Sequence, residues 1–495
     1  MKSRSLIYYQ LSGVSILSTP LGWLVMLGIL GFSFILFNFL GIIGGALLIG
    51  LPVGLVVLSI VWNNPKIGVW GNIVLAFFSA GITRYVPGPW GLTMDILLAL
   101  SWLSVLLNKK VEVNWKHAKN PIVALSTFWM LYLVFEIVNP SGNGLMAWFY
   151  AMRGIGFYQA LTIPLVFLFF RKEQDLEQFF KLLIYFSLLG TIWGFKQQLF
   201  GTDGAEDHWL YAENHHEEHI LHGVLRVFSF YSDAGSFGSS QAMMSLMSAI
   251  MFMGPYKGWK KFKYLVFAII FLLGFAISGT RGALAVPLAG GIAYLILIKN
   301  FKILVTGFSG MILVFVILKY TFMFQGVEQV RRMRTALDPQ NKSLTVRLDN
   351  QKTFARYLAT RPFGGGIGTA GFWGARFNPN SLMANTATDS WFVKLWAETG
   401  PVGLTFHLVI LGFTLGYGGH KIMRMRDPKN RTQASALYAM FAGAILASYG
   451  NQVLIQMPTG IILNFAIPFI FLIAERDQKK WLKSVKKASE LKALV

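Results

Sequence analysis

Cysteine is absent from the 495 residues, which excludes disulfides, thiolate metal sites and a cysteine nucleophile. Charge is scarce as well. Only 13% of the residues are Asp, Glu, Lys or Arg, where a soluble domain carries ~25%. Acidic residues are the scarcest of these, 22 against 44 Lys and Arg, for a net charge of +22. There is no short apolar run followed by a small-residue cleavage site, so the first apolar segment, from near Pro20, is expected to stay as an anchor. What fills the chain instead is apolar: 54% hydrophobic residues, 15% of the total aromatic. That composition excludes a soluble enzyme, a disordered chain and a fibre. It predicts an all-α polytopic membrane protein, one integral domain over 1–495.

Apolar stretches long enough to cross ~30 Å of hydrocarbon fall at about 20–39, 41–61, 67–83, 89–107, 121–139, 145–170, 182–200, 236–254, 264–278, 282–298, 303–322, 401–417, 433–450 and 457–474. The tight joins at 39/41 and 278/282 make the expectation 12–14 helices. Alternating the short loops from an inside start puts nineteen basic residues on one side, from Lys66 and the Lys109–Lys119 group to Lys421–Arg431. Only Arg84 and Arg281 fall on the other. By the positive-inside rule the basic side is cytoplasmic, with both termini and the basic tail 475–495. A basic balance that would suggest nucleic acid in a soluble protein therefore reports topology here, and no nucleic-acid partner is expected. Two long connections, 201–235 and 323–400, fall outside.

Ionisable residues inside spans are costly and by default suggest function. Asp95, Glu136, Arg153, Lys196 and Lys319 all fall in the outer third of their helices. With Arg84, Arg226 and Arg281 at the same level, they predict a cationic cavity opening outward. Snorkelling to headgroups is the plainer alternative for any one of them. No charge lies through the midplane, which counts against a pump.

Three segments carry candidate chemistry. Arg226-Val-Phe-Ser-Phe-Tyr-Ser-Asp233-Ala-Gly-Ser-Phe-Gly238 runs from the first outer loop into a helix, and its backbone N–H groups and arginine fork suit phosphate oxygens. Ser278-Gly-Thr-Arg281-Gly-Ala is a tight outer turn; the plain alternative is a hairpin arginine touching lipid phosphate. The long outer loop carries Arg347-Leu-Asp349, then Arg361-Pro-Phe-Gly-Gly-Gly366-Ile-Gly368, Phe372 and Trp373, and Asp389-Ser-Trp391 through Glu398-Thr-Gly400-Pro-Val-Gly403. No strand precedes the glycine run, so it reads as a flexible turn and not a nucleotide fingerprint. Trp373 and Trp391 are candidates to stack on sugar faces, with interfacial belts the commoner role of such residues. Asp389 opens a helix and would cap it in either reading. His215, His219 and His222, spaced i, i+4, i+7, form a weaker metal candidate than a solvated polar loop.

In this order the motifs resemble the O-antigen ligase and O-antigen polymerase superfamily, bacterial membrane glycosyltransferases of the GT-C type. The resemblance covers 226–403: an outer-loop arginine with a small-residue turn, S-x-x-R-G-A, R…P-x-G-G-G-I-G, and an aromatic-x-x-L-x-A-E-x-G-x-x-G segment entering a helix. It implies a glycan donor on undecaprenyl diphosphate and an acceptor that is a second lipid-linked oligosaccharide or lipid A-core. Transfer would invert the anomeric centre, with no cofactor, nucleotide sugar or metal. It implies Arg226 and Arg281 on the diphosphate. Asp389 is the candidate catalytic carboxylate, to accept the hydroxyl proton or equally just to orient the acceptor, and Arg84, Asp95, Arg153, Arg347, Arg361, Trp373, Trp391 and Glu398 are the candidate substrate contacts. Membrane lipids, a flippase or a chain-length regulator are the implied partners. The ligase pattern has a His-Asn pair nine residues before the A-E glutamate, and this sequence has Asp389-Ser390 there. That departure favours a polymerase over a ligase. Protein O-glycosylation is a third reading. From a different class comes a transporter, disfavoured because the ~75-residue outer loop has no counterpart in the first half.

Overall fold

The computed structural model describes residue 31 and residues 42–493, apart from 222, 299, 324, 327 and 336–341. The expected first span, 20–39, lies outside the described residues except for residue 31, as does His222. The first helices are α1 (Ile42–Asn63), α2 (Pro65–Tyr85), α3 (Trp90–Leu107) and α4 (Pro121–Phe135). Next come α5 (Leu145–Met152) and α6 (Tyr158–Phe169), joined through a π-helical turn at Arg153–Phe157, and α7 (Glu173–Phe200). The first outer loop holds α8 (Gly204–Tyr211), α9 (His216–His219) and a two-residue hairpin, β1 (Ile220–Leu221) with β2 (Val224–Leu225). Then follow α10 (Ala234–Met253), α11 (Gly258–Ile277), α12 (Ala285–Leu297) and α13 (Phe301–Tyr320). The long outer loop is itself helical: α14 (Glu328–Thr335), α15 (Lys342–Leu358), α16 (Gly371–Phe377) and α17 (Leu382–Asn385). The chain closes with α18 (Trp391–Met423), α19 (Pro428–Ala447) and α20 (Thr459–Ala493). The basic tail is thus a continuation of α20.

Local chemistry sets the helix starts. Pro65, Pro121 and Pro428 stand in first turns, where their missing N–H is no loss. Asn120, Asp233, Asn300 and Asp427 cap helices through side-chain oxygens. Asp203 and Glu206 form a reciprocal capping box on α8.

Each expected span within the described residues coincides with a helix. Seven helices among them are both long and apolar enough to cross a membrane on those grounds alone. Helices such as α10 fall short because Ser, Gly and Gln lower their hydropathy, and α10 is nonetheless buried along nearly its whole length. Its Gln241 accepts from Thr191 at 2.9 Å and donates to the Ser187 carbonyl at 3.1 Å, fastening it to α7. Small residues let α12 and α19 touch backbone to backbone. A Cβ on Gly290 would lie 2.4 Å from the Ala439 carbonyl oxygen, and one on Gly443 2.6 Å from that of Val286. The apolar side chains exposed on α3 and α4, such as Leu106, Leu107, Phe128 and Leu131, suit contact with lipid rather than water.

Candidate active site

The site is built on the start of α10. Arg84, at the end of α2, donates to the Ser229 carbonyl at 2.7 Å and also to those of Tyr231 and Ser232. Its guanidinium lies over the rings of Trp209 and Phe228, at 4.1 and 4.5 Å. Arg84, expected to bind substrate, is instead the brace of the loop that leads into α10. Asp233 then caps that helix, accepting the Ser236 N–H at 2.9 Å. Its other oxygen accepts from the Ser232 hydroxyl at 2.9 Å and from Gln456 at 3.2 Å.

Arg226 and Arg281 converge beside this helix start. Arg226 donates to the Glu218 carbonyl at 2.9 Å and to the Thr280 hydroxyl at 3.3 Å, and Thr280 in turn donates to the Ala234 carbonyl at 2.8 Å. Burial pulls the Arg226 guanidinium below its usual pKa; Asp233 opposes that and the charge of Arg281 adds to it. Arg281 is also within electrostatic reach of Arg347. Arg347 pairs with Asp389 at 3.0 Å and donates to the Gly450 carbonyl at 3.4 Å. Arg332 joins the group, its guanidinium 3.1 Å from where a Cβ on Gly279 would stand. Four arginines from four separate segments therefore lie along one side of this helix start, Arg226 within reach of Arg281 and Arg281 of Arg347, and the last of them pairs with the exposed Asp389. Their mutual repulsion suits a polyanionic ligand.

The glycine run is not a free turn. Gly365 and Gly366 donate to the carbonyls of Ala397 and Glu398 at 2.8 and 2.9 Å, so the run is hydrogen-bonded along the first turns of α18. Gly400 breaks that helix with φ 66°, and a Cβ there would lie 2.2 Å from the Pro362 carbonyl oxygen. Glu398 is wholly buried and accepts from the Ala370 N–H at 3.2 Å. It anchors the run from beneath instead of reaching substrate. Trp391 is also wholly buried, its indole donating to His407 at 3.3 Å, so the expected sugar-stacking role gives way to a core role. Both corrections share a cause: the helix opens where expected, with Ser390 rather than Asp389 at its cap, but its first turns pack into the protein. Trp373 is half-buried and stacks on Tyr150 at 4.9 Å. Arg361 lies over Tyr357 and donates to its carbonyl at 2.7 Å.

The other charges expected in one outward cavity are paired locally. Arg153 and Asp95 form an ion pair at 2.7 Å. Lys196 bridges Asp203 and Glu206, both at 3.0 Å. Glu136 accepts from Asn139 at 2.8 Å, and Lys319 lies over Phe315 and Tyr320. An unpaired charge at such depth is costly; a neighbouring span supplies the partner for Arg153, and nearby residues of the same segment serve Lys196, Glu136 and Lys319. His219 is buried and bonded to the His215 carbonyl. No group of three or more His, Asp or Glu among the described residues is placed to hold a metal.

Sequence reasoning passed over the loop after α19. Asn451 accepts from Gln456 at 3.3 Å, Gln452 donates to the Thr388 carbonyl at 3.0 Å, and the Trp391 N–H donates to the Ser448 carbonyl at 2.9 Å. This loop ties α10, α18 and Arg347 together. A search keyed to charge cannot find it, because its signal is a run of uncharged amides between two apolar spans. A small cavity of about 40 Å³ below it, lined by Trp391, His407 and Asn464, is too small for a sugar.

Residues 238–408 match the family described as O-Antigen ligase. The matched stretch runs from the first turns of α10 into α18, and so contains Arg281, Arg332, Arg347, Asp389 and Glu398 but not Arg226. The match supports the O-antigen ligase and polymerase superfamily and an enzyme of that ligase/polymerase type acting on lipid-linked glycan in a membrane. No curated protein matches the chain.

Proposed function

We propose that this protein is a glycosyltransferase polymerising undecaprenyl-diphosphate-linked oligosaccharide repeats, of O-antigen or exopolysaccharide, at the periplasmic face of a bacterial inner membrane. The observation that carries the reading is the succession of Arg226, Arg281 and Arg347, each within electrostatic reach of the next, with Asp389 paired to Arg347. In the reaction the acceptor hydroxyl attacks the anomeric carbon from the face opposite the diphosphate. Its proton passes to the Asp389 carboxylate. The carbon–oxygen bond to phosphate breaks, its electron pair leaves with the diphosphate, and the configuration inverts. Negative charge grows on that leaving group as the bond stretches. Guanidinium groups already in place therefore stabilise the transition state more than the bound donor. A flippase supplying the donor and a chain-length regulator are the partners this reaction calls for.

A second reading, ligation of the glycan to lipid A-core, is favoured by the description of the matched family. One experiment separates them. The purified protein in liposomes receives lipid-linked oligosaccharide, with and without lipid A-core. A polymer ladder on the carrier supports the polymerase, and transfer that needs lipid A-core supports the ligase. Passage of donor across the bilayer with no glycan transfer overturns both.

A further inference from the structure

On the face opposite the arginine group, the ends of α6 and α18, the middle of α20 and the loop before α4 enclose a cavity of about 260 Å³. The loop reaches it through a 3-10 turn at Trp115–Ala118, held by the Asn114 side chain on the Lys116 N–H. The cavity has two chemically distinct parts. Phe167, Tyr417 and Phe471 form an apolar wall, with Tyr417 and Phe471 stacked at 5.2 Å. Lys116, Lys119, Arg171 and Lys421 form a cationic rim.

The rim carries more positive charge than it neutralises. Its one carboxylate, Glu475, is held by Arg171 at 2.6 Å and from outside by Lys479 at 2.6 Å. Among the described residues neither Lys116 nor Lys119 has a carboxylate partner, and Lys421 lies over the Tyr417 ring at 5.1 Å. Burial, and after it Arg171, hold His117 below its usual pKa, with Glu475 opposing. Cations alone would suit any phosphate. An aromatic wall opening beside them at the end of the spans suits a phosphate that carries acyl chains.

We propose that this cavity is a binding site for the headgroup of an anionic phospholipid, in the leaflet opposite the candidate active site. The phosphodiester sits among Lys119, Arg171 and Lys421, and the first acyl carbons lie on the partly exposed Tyr417 ring, which Phe471 backs from within. This assignment is independent of the transfer reaction.

The test is native mass spectrometry of the full-length protein in detergent, titrated with dioleoyl phosphatidylglycerol or dioleoyl phosphatidylcholine. One phosphatidylglycerol is expected to be retained and phosphatidylcholine lost. The K119Q/K421Q protein should bind phosphatidylglycerol roughly thirtyfold more weakly, the scale of two lysine–headgroup attractions at a charged surface. K116Q/K119Q, altering two exposed residues without ion pairs, is the second variant should the first not fold; it removes one of the headgroup contacts, and a weakening of roughly fivefold is expected. K257Q/K263Q, on the same basic face but away from the cavity, should bind as the parent does. Equal weakening in K257Q/K263Q would show diffuse surface attraction and overturn the site. So would equal retention of phosphatidylcholine, or displacement of the lipid by millimolar inorganic phosphate.

Discussion

Arg347 Nε meets Asp389 Oδ2 at 3.0 Å across 42 residues of chain. Both side chains are well exposed, at 36% and 49%, so the pair adds ~0–1 kcal/mol to stability. Its consequence is placement: α15 holds the carboxylate beside the arginine group. Asp389→Ala should lower turnover on the order of 10²–10⁴-fold, the range of a lost general base, with thermal unfolding near that of the parent. Asp389→His, which restores the residue type of the ligase pattern, should recover part of that loss. Turnover of Asp389→Ala equal to the parent's in liposomes with lipid-linked donor would remove the carboxylate from the mechanism.

Arg281 stands where a developing charge on the diphosphate is expected, with Arg226 linked to the same turn through Thr280. Losing one preorganised donor costs about 2.7–4 kcal/mol in the transition state, or ~10²–10³-fold in kcat. Arg281→Ala should show that loss with KM for the lipid donor moving much less. A change confined to KM would mean that Arg281 only binds the ground state.

Arg84 is expected to behave differently. Its donors are engaged by the backbone at 229, 231 and 232, and a hydrogen bond from a charged donor is worth ~1.5–3 kcal/mol. Arg84→Gln should therefore lower the unfolding midpoint markedly. Lysine should not rescue it, since one ammonium cannot copy a planar fork stacked on two rings. If Arg84→Gln unfolds like the parent yet loses transfer, Arg84 contacts substrate after all.

Gly400 makes a steric prediction. Its φ is 66° and a Cβ would meet the Pro362 carbonyl oxygen at 2.2 Å. With ψ −173° as well, the position lies in a region essentially confined to glycine, so Gly400→Ala costs ~1–3 kcal/mol in addition to that clash. The N–H groups of Gly365 and Gly366, bonded to the α18 backbone, should then exchange with deuterium faster than in the parent. Unchanged protection would show that the run is held by other contacts.

Helices, spans and the charge asymmetry were legible because each rests on local composition. So was the conjunction of Arg226 with Arg281, through motif order. Tertiary choices were not. Glu398 and Trp391 were expected at substrate on a helix opened by Asp389, and only packing shows that the first turns of α18 are buried. The apparently unpaired Asp95 and Arg153 are 58 residues apart, and only packing shows that they compensate each other. The amides of 451–456 carry no charge, so an electrostatic search skips them.

His219 supplies a pH test for the loop over the site. Its Nδ1 lies 2.9 Å from the His215 carbonyl oxygen, and its Nε2 accepts from the Ala234 N–H at 3.4 Å, at the start of α10. Burial lowers its pKa to about 4; the His215 carbonyl and Asp233 oppose this, while Arg226 and Arg84 add to it. The unfolded value is about 6.5. Above that value the ring is neutral in both states and contributes no pH dependence. Between about 6.5 and about 4 the unfolded loop takes up the proton more readily, so the folded arrangement loses stability as pH falls. Below the folded value both states are charged and the loss levels off. Protonation also removes the acceptor that Ala234 uses. Proteolysis of 201–235 should accelerate from pH 7 to pH 4 in the parent, and His219→Gln, which keeps one donor and one acceptor, should flatten that profile. A parent profile without pH dependence would mean that the loop is secured without the neutral imidazole.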